Sequence, residues 1–159
     1  PAVAPGGSAP EAASASDENT NSGEPEPYVT ESIRGQVDWM ADALERRFGI
    51  GLVREAREHL LALQTTDGRL LPIMEDVRGR SFRMDDRLRE MDLELLVRHY
   101  EQPPMIQVIR VYEIQDGEKY ILDYWCDVCA IVMFQLGPCD CCQATNHLRK
   151  RPADDSVAP

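Results

Sequence analysis

The stretch YWCDVCAIVMFQLGPCDCCQ, residues 124–143, determines how the last part of this 159-residue chain folds. It contains all five cysteines of the chain, and four of them form two C-x-x-C pairs, Cys126 with Cys129 and Cys139 with Cys142. Nine residues separate the two pairs. In such a pair the chain turns tightly and both sulfurs face one hollow. Two pairs joined by a hairpin can therefore enclose a tetrahedral ion about 2.3 Å from each sulfur.

The doubled pair, with Gly137-Pro138 ahead of its second half, resembles the cysteine knuckles of zinc-ribbon and rubredoxin-type proteins over residues 120–147. The resemblance implies a structural Zn²⁺ site, with iron as the alternative ion. This sequence departs from the family pattern at Ala130 and Gln143, which follow the two pairs. Those families often place glycine there, because the knuckle favours a backbone position with φ > 0. The nine-residue spacing is also short.

The remaining cysteine and a nearby histidine leave the ligand set open. Cys141 can replace Cys139 or Cys142, or it can be a free thiol beside the metal, and His147 is a substitute fourth ligand. Two disulfides with one cysteine left over are a separate alternative. A redox dithiol is another, although motifs of that kind occur singly at the start of a helix. Four-thiolate zinc is the favoured interpretation.

Upstream of the cysteines the pattern indicates β structure. Residues 105–115 and 118–125 flank Asp116-Gly117, a dipeptide typical of tight hairpins, and the second strand leads directly into Cys126. Residues 59–74 predict another hairpin around a turn at 65–68. A half-buried strand is predicted from three apolar residues that alternate with polar ones: Leu93, Leu95 and Val97.

Near the start of the folded part, the sequence fits both the helical periodicity and the alternation of a strand. Apolar residues at helical spacing predict a short amphipathic helix over 36–48, ended by Gly49. A strand from Ile33 to Trp39 is the alternative, since Val37 and Trp39 alternate with polar neighbours. With about five strands and one short helix, we expect a mainly β fold, a small bent sheet or partly open barrel. Its order and size resemble the OB-fold.

The chain divides into four predicted parts. Residues 1–31 are expected to form a disordered acidic tail rich in Pro, Ala and Ser, because they offer too little apolar surface to offset ordering entropy. A small β module is predicted over 32–117 and the cysteine-knuckle hairpin over 118–150. Residues 151–159 are expected to form a second loose tail.

The composition of the chain limits the classes of partner that we expect. The net charge is −11 and the pI about 4.7, which disfavours a nucleic-acid partner held by general attraction to phosphate. Residues 1–32 carry six acids and no Lys or Arg. No apolar run is long enough to cross a bilayer. The start at Pro1, followed by small residues, suits an exported or periplasmic protein after signal removal, with a cytoplasmic location as the alternative.

The other polar residues predict no catalytic group. The paired acids Glu75-Asp76 and Asp85-Asp86 are expected to be solvated loop charges, and His59 and His99 surface or structural histidines. Core and rim packing is favoured over a base-stacking platform for four aromatic residues: Tyr112, Tyr120, Tyr124 and Trp125.

The sequence therefore predicts a non-enzymatic, metal-binding protein that serves protein interaction or metal handling. A thiol or iron redox protein is the alternative, and single-strand nucleic-acid binding on an OB-like face is a weaker one. The partner protein is not identified by the sequence.

Overall fold

A computed structural model describes residues 26–153 of the chain. Within that range the protein is mainly β, with an open antiparallel sheet. The strands are β1 Tyr28–Trp39, β2 Leu61–Thr65, β3 Leu70–Pro72, β4 Leu93–Tyr100, β5 Met105–Gln115, β6 Glu118–Cys126, β7 Ile131–Met133 and β8 His147–Pro152. The helix α1 spans Met40–Phe48, and a four-residue helical turn, α2, spans Ser81–Met84. None of the described helices has the length and apolarity to span a bilayer.

The predicted tail boundaries fall inside strands. β1 begins at Tyr28, before the end of the segment 1–31 that was predicted to be disordered, and β8 continues to Pro152. The reason is backbone pairing: Tyr28 is paired with Tyr100 of β4, and Pro152 with Tyr120 of β6. The rest of both predicted tails, 1–25 and 154–159, lies outside the described residues.

The competition between helix and strand is resolved at Trp39. The strand alternative is confirmed up to this residue, and the helix begins only at Met40, so the predicted start at residue 36 is wrong. Gly49 ends the helix with φ 67°, and its N–H donates to the Glu45 carbonyl. Small residues of the helix face the core, whereas Phe48 of the predicted apolar stripe is 58% exposed.

The sheet has the order β3-β2-β1-β4-β5-β6-β7, and β8 pairs with β6. The predicted hairpin of β5 and β6 is confirmed, and both turn residues, Asp116 and Gly117, have positive φ, as a two-residue turn of the I′ type requires. The hairpin of β2 and β3 is also present. The predicted boundary at residues 117 and 118 lies within the first of these hairpins, so the cysteine segment continues the same sheet.

The core lies on the inner, concave face of the sheet. Alternate residues of β4 (Leu93, Leu95 and Val97) are fully buried there, as the sequence predicted. Two segments of the sheet approach each other where Ile73, after β3, forms an isolated parallel bridge with Ile106 of β5. Phe82 and Leu88, from the connection between β3 and β4, complete the core cluster. The sheet is therefore strongly bent but remains open.

Both edges of β6 carry partners. Tyr124 pairs with Met133 of β7 and with Leu148 of β8, while Leu122 pairs with both β5 and β8. A strand residue has one neighbour on each side, so β8 occupies one edge of β6 and β5 and β7 share the other. This arrangement places Cys126, the last residue of β6, at the base of the cysteine segment.

Candidate metal centre

Four sulfur atoms converge beyond the end of β6. They belong to Cys126, Cys129, Cys139 and Cys142, and all of them lie within 4.8 Å of one another. Cys126 and Cys139 are fully buried, and their two partners are half-buried. These are the four residues that the C-x-x-C spacing singled out, and the structure brings them to one point.

The spacing of the sulfurs suits a shared ion and not a covalent bond. A tetrahedral ion about 2.3 Å from each sulfur would hold the sulfurs about 3.8 Å apart. The Cys126 and Cys142 sulfurs are 3.4 Å apart, whereas a disulfide requires about 2.05 Å. All five cysteines are free thiols. The disulfide alternative therefore finds no support in this geometry.

The two knuckles have the same backbone structure. The N–H of Ala130 donates to the Cys126 carbonyl at 2.8 Å, and the N–H of Gln143 donates to the Cys139 carbonyl at 2.9 Å. Both residues are in the left-handed region, with φ 53° for Ala130 and 64° for Gln143. The positions that glycine usually occupies thus keep the conformation although neither residue is glycine. Such a backbone costs about 1–2 kcal/mol per non-glycine residue.

Backbone N–H groups point at the first sulfur of each knuckle. Hydrogen bonds from the N–H groups of Cys142 and Cys141 lower the pKa of Cys139 to about 7, against the opposing effect of burial. Cys126 receives the equivalent bonds from Cys129 and Val128. In that case burial and contact with the neighbouring thiols outweigh the bonds, and the pKa of Cys126 is raised. N–H donors stabilise a thiolate, which is the form that binds a metal.

Crowding of thiols has the opposite effect at Cys129. Contacts with the thiols of Cys141 and Cys142, together with burial, raise its pKa well above the usual range. Four thiols this close cannot all ionise without a cation among them, because each negative charge disfavours the next. The donor set is therefore suited to a metal cation that displaces the protons.

The two substitute ligands lie outside the group of four. Cys141 is exposed, and although its thiol contacts Cys129, it is not among the sulfurs that share the common point. His147 is also exposed, and its Nδ1 lies 3.3 Å from a carboxylate oxygen of Asp127. Neither is needed to complete four ligands.

A buried asparagine holds the approach to the second knuckle. The Asn146 side chain accepts a hydrogen bond from the Gly137 N–H at 3.0 Å and donates one to the Gln135 carbonyl at 2.9 Å. Its own N–H donates to the Gly137 carbonyl at 3.1 Å, and Cys139 donates to the Ala144 carbonyl. The sequence analysis missed Asn146, since no motif marks a residue that bonds only to the backbone of a loop.

Buried carboxylates hold β6 in place just ahead of the candidate metal centre. Asp85 is 2% exposed, so its predicted place as a solvated loop charge is wrong. It accepts a hydrogen bond from the Tyr124 hydroxyl and two from the Arg87 guanidinium. Burial raises the pKa of Asp85, but these donors outweigh it and the pKa is lowered. Asp123 is likewise buried and binds two arginines of β8.

Comparisons with protein-family models, curated proteins and solved structures returned no match.

Proposed function

We propose that this chain is a non-enzymatic metal-binding protein in which Zn²⁺, held by Cys126, Cys129, Cys139 and Cys142, is a structural element. The observation that carries the proposal is the convergence of these four sulfurs within 4.8 Å from two knuckles with equivalent backbone hydrogen bonds. Four thiolates fill the coordination sphere of a tetrahedral ion and leave no open position for a substrate or water. A closed site of this kind supports structure better than catalysis or metal transfer.

The ion would stabilise the segment between the two knuckles, which buries little apolar surface of its own. β7 has only three residues, and the segment between the two knuckles exposes much of its apolar surface. Ligand geometry of this kind is absent from an unfolded chain, so metal binding and ordering of the segment occur together.

The same exposed surface supports a role in protein interaction. Val128 is 70% exposed, and the apolar side chains of Ile131, Val132 and Phe134 are exposed beside it. Arg78 covers one side of the Phe134 ring, with its guanidinium carbon 3.9 Å from the ring centre. Apolar side chains exposed along one short segment, residues 128–134, favour contact with another protein. We propose that the metal holds this segment in shape for such a partner.

Elemental analysis of the purified protein, together with a count of reactive thiols, tests the proposal. We expect about one zinc per chain, a colourless protein and a single reactive thiol, Cys141. Iron in the same four thiolates would give a coloured protein whose spectrum changes on reduction, which would favour the redox alternative. Protein that holds no metal after purification and refuses added zinc would refute the metal site altogether.

A further inference from the structure

The outer, convex face of the sheet carries a concentration of positive charge. Side chains of neighbouring strands that are paired in register share a face, and alternate residues along a strand return to it. The pairs Leu96 with Arg110 and Ile121 with Arg151 therefore lie on the face opposite the buried Leu95 and Leu122. We call this surface of β4, β5, β6 and β8 the basic face. It is defined by five cationic and two aromatic residues: Arg98, Arg110, Lys119, Arg149, Arg151, Tyr112 and Trp125.

The charges of the basic face do not cancel. Arg98, Arg110, Lys119, Arg149 and Arg151 contribute five cations, and the same strands place only two carboxylates there, those of Glu94 and Asp123. Lys119 is bound to Glu94 at 2.5 Å, and Arg149 and Arg151 share Asp123. Arg98 and Arg110 have no acidic partner within residues 26–153. The face is thus positive, although the chain has a net charge of −11.

Aromatic rings lie among these cations. The Arg149 guanidinium is 4.0 Å from the centre of the Trp125 ring, and the Lys119 ammonium is 5.0 Å from the centre of the Tyr112 ring. The four aromatic residues that the sequence marked are divided between the faces. Tyr112 and Trp125 lie on the basic face, whereas Tyr120 pairs in register with Glu113 on the inner face and Tyr124 is buried.

We infer that the basic face binds single-stranded nucleic acid. Such a strand supplies both groups that this surface is built to receive: phosphates for the unpaired guanidiniums and planar bases for stacking on rings and on the Arg149 guanidinium. An acidic peptide offers the charge but few planar groups. A duplex offers charge and shape but keeps its bases stacked inside, out of reach of the rings on this face.

The negative net charge does not exclude this partner. At physiological salt the Debye length is about 8 Å, so acidic groups on other parts of the molecule act only weakly on a phosphate that is in contact with the basic face. Among the described residues, Glu31, Glu113 and Glu118 lie on the inner face of the sheet and not on the basic face. The total net charge of the chain therefore does not describe the charge of this face.

The inference rests on the proposed function in one respect only. Trp125 immediately precedes the first metal ligand, Cys126, so loss of the metal would disturb one end of the basic face. The metal content of each sample is measured separately from its nucleic-acid binding. A failure of one proposal is thereby distinguished from a failure of the other.

The test is fluorescence anisotropy of a labelled dT15 oligonucleotide titrated with the full, zinc-loaded chain at 50 mM salt. The variant is Arg110→Glu, which reverses an unpaired charge on the face. The matched control is Arg54→Glu, the same change at an exposed residue of the 3₁₀ turn Arg54–Ala56, away from the sheet. We expect saturable binding that Arg110→Glu weakens about tenfold and Arg54→Glu by less than twofold, and about three phosphate contacts predict a slope of about −2 for log K against log salt.

Three results would overturn the inference. The first is the absence of dT15 binding to metal-loaded protein at 100 μM. The second is an equal loss in both variants at unchanged metal content, which would mean that total charge and not this face governs binding. The third is a decaglutamate peptide that displaces dT15 with equal affinity, which would assign the face to acidic protein segments instead.

Discussion

The Tyr124 hydroxyl on β6 donates a hydrogen bond of 2.8 Å to the carboxylate of Asp85, which precedes it by 39 residues. This bond ties β6, the strand that carries the candidate ligand Cys126, to the connection between β3 and β4. Both groups are buried, and Arg87 supplies the charge that keeps the carboxylate ionised.

Removal of that hydroxyl should destabilise the protein. Tyr124→Phe leaves a buried carboxylate without one of its donors, and we expect a loss of about 1.5–3 kcal/mol in the free energy of unfolding, measured with urea. Tyr120→Phe is the control, since the Tyr120 hydroxyl bonds to Glu118 at the surface. Its cost should stay within about 0.5 kcal/mol. Equal costs would show that the Asp85 bond contributes nothing particular.

Acid should weaken the same contact. The pKa of Asp85 is lowered in the folded protein, so its stabilisation is complete above its unfolded pKa of about 3.9 and is lost as pH falls through the folded value. The difference in unfolding free energy between wild type and Asp85→Asn should therefore be largest near pH 6 and shrink below about pH 4. A difference that stays constant between pH 6 and pH 3 would contradict the linkage.

Glycine at the two left-handed positions should stabilise the knuckles. Ala130→Gly relieves a conformation that is costly for a residue with a side chain, and we expect it to add about 0.5–1 kcal/mol after the entropy cost of glycine. Gln143→Gly relieves the same conformation but also removes the hydrogen bond that the Gln143 side-chain amide donates to the Cys139 carbonyl at 3.0 Å, so its gain should be smaller. Ala144→Gly is the control, because Ala144 is not among the positive-φ residues. It should lower stability by a similar amount. The opposite signs are measurable as shifts in the thermal midpoint of metal-loaded protein, and shifts of the same sign would refute the argument.

Single Cys→Ser substitutions should separate ligands from bystanders. Serine at Cys126, Cys129, Cys139 or Cys142 leaves three thiolates, and we expect zinc retention after dialysis against a chelator to fall at least tenfold. Cys141→Ser and His147→Ala should retain zinc as wild type does, because neither residue belongs to the group of four. Loss of zinc in Cys141→Ser alone would move the fourth ligand to that residue.

Metal uptake should release protons. The pKa values of Cys126 and Cys129 are raised in the metal-free site and that of Cys139 is about 7, so Cys126 and Cys129 are protonated at neutral pH before a cation enters. We expect zinc titration in a weak buffer at pH 7 to release at least about two protons per ion, and zinc affinity to fall as pH decreases. Calorimetry in buffers of different ionisation enthalpy gives the proton count, and uptake without proton release would contradict the four-thiolate site.

Local patterns in the sequence predicted local structure well. The turn at Asp116-Gly117 and the convergence within each C-x-x-C pair depend on residues that are close in the chain, and spacing alone indicates them. The strand predicted from the alternation of Leu93, Leu95 and Val97 is also confirmed, because burial of one face of a strand imposes a period of two residues.

The errors concern contacts between distant segments. In the sequence Asp85 has the pattern of an exposed loop acid. Its burial depends on the hydrogen bond from Tyr124 of β6, and the periodicity of the sequence does not indicate a contact between residues so far apart. Before Trp39 the same residues fit both a strand pattern and a helix pattern. The pairing of β1 with β2 and β4 determines that the strand continues to Trp39 and that the helix begins after it. The prediction that disfavours a nucleic-acid partner rests on total charge and stays a prediction, because no feature of the described residues identifies a partner.

The position of β8 has a consequence for self-association. Within residues 26–153 only β6 pairs with it, so its far side presents free peptide groups to other molecules. An unpaired edge strand of this kind can pair with a second copy of the chain, and repeated pairing would extend the sheet into a polymer. β8 has the sequence HLRKRP, with three consecutive cations followed by a proline that lacks an N–H. Two such strands would repel each other on approach, so the residues that anchor Asp123 also keep the sheet from growing edge to edge.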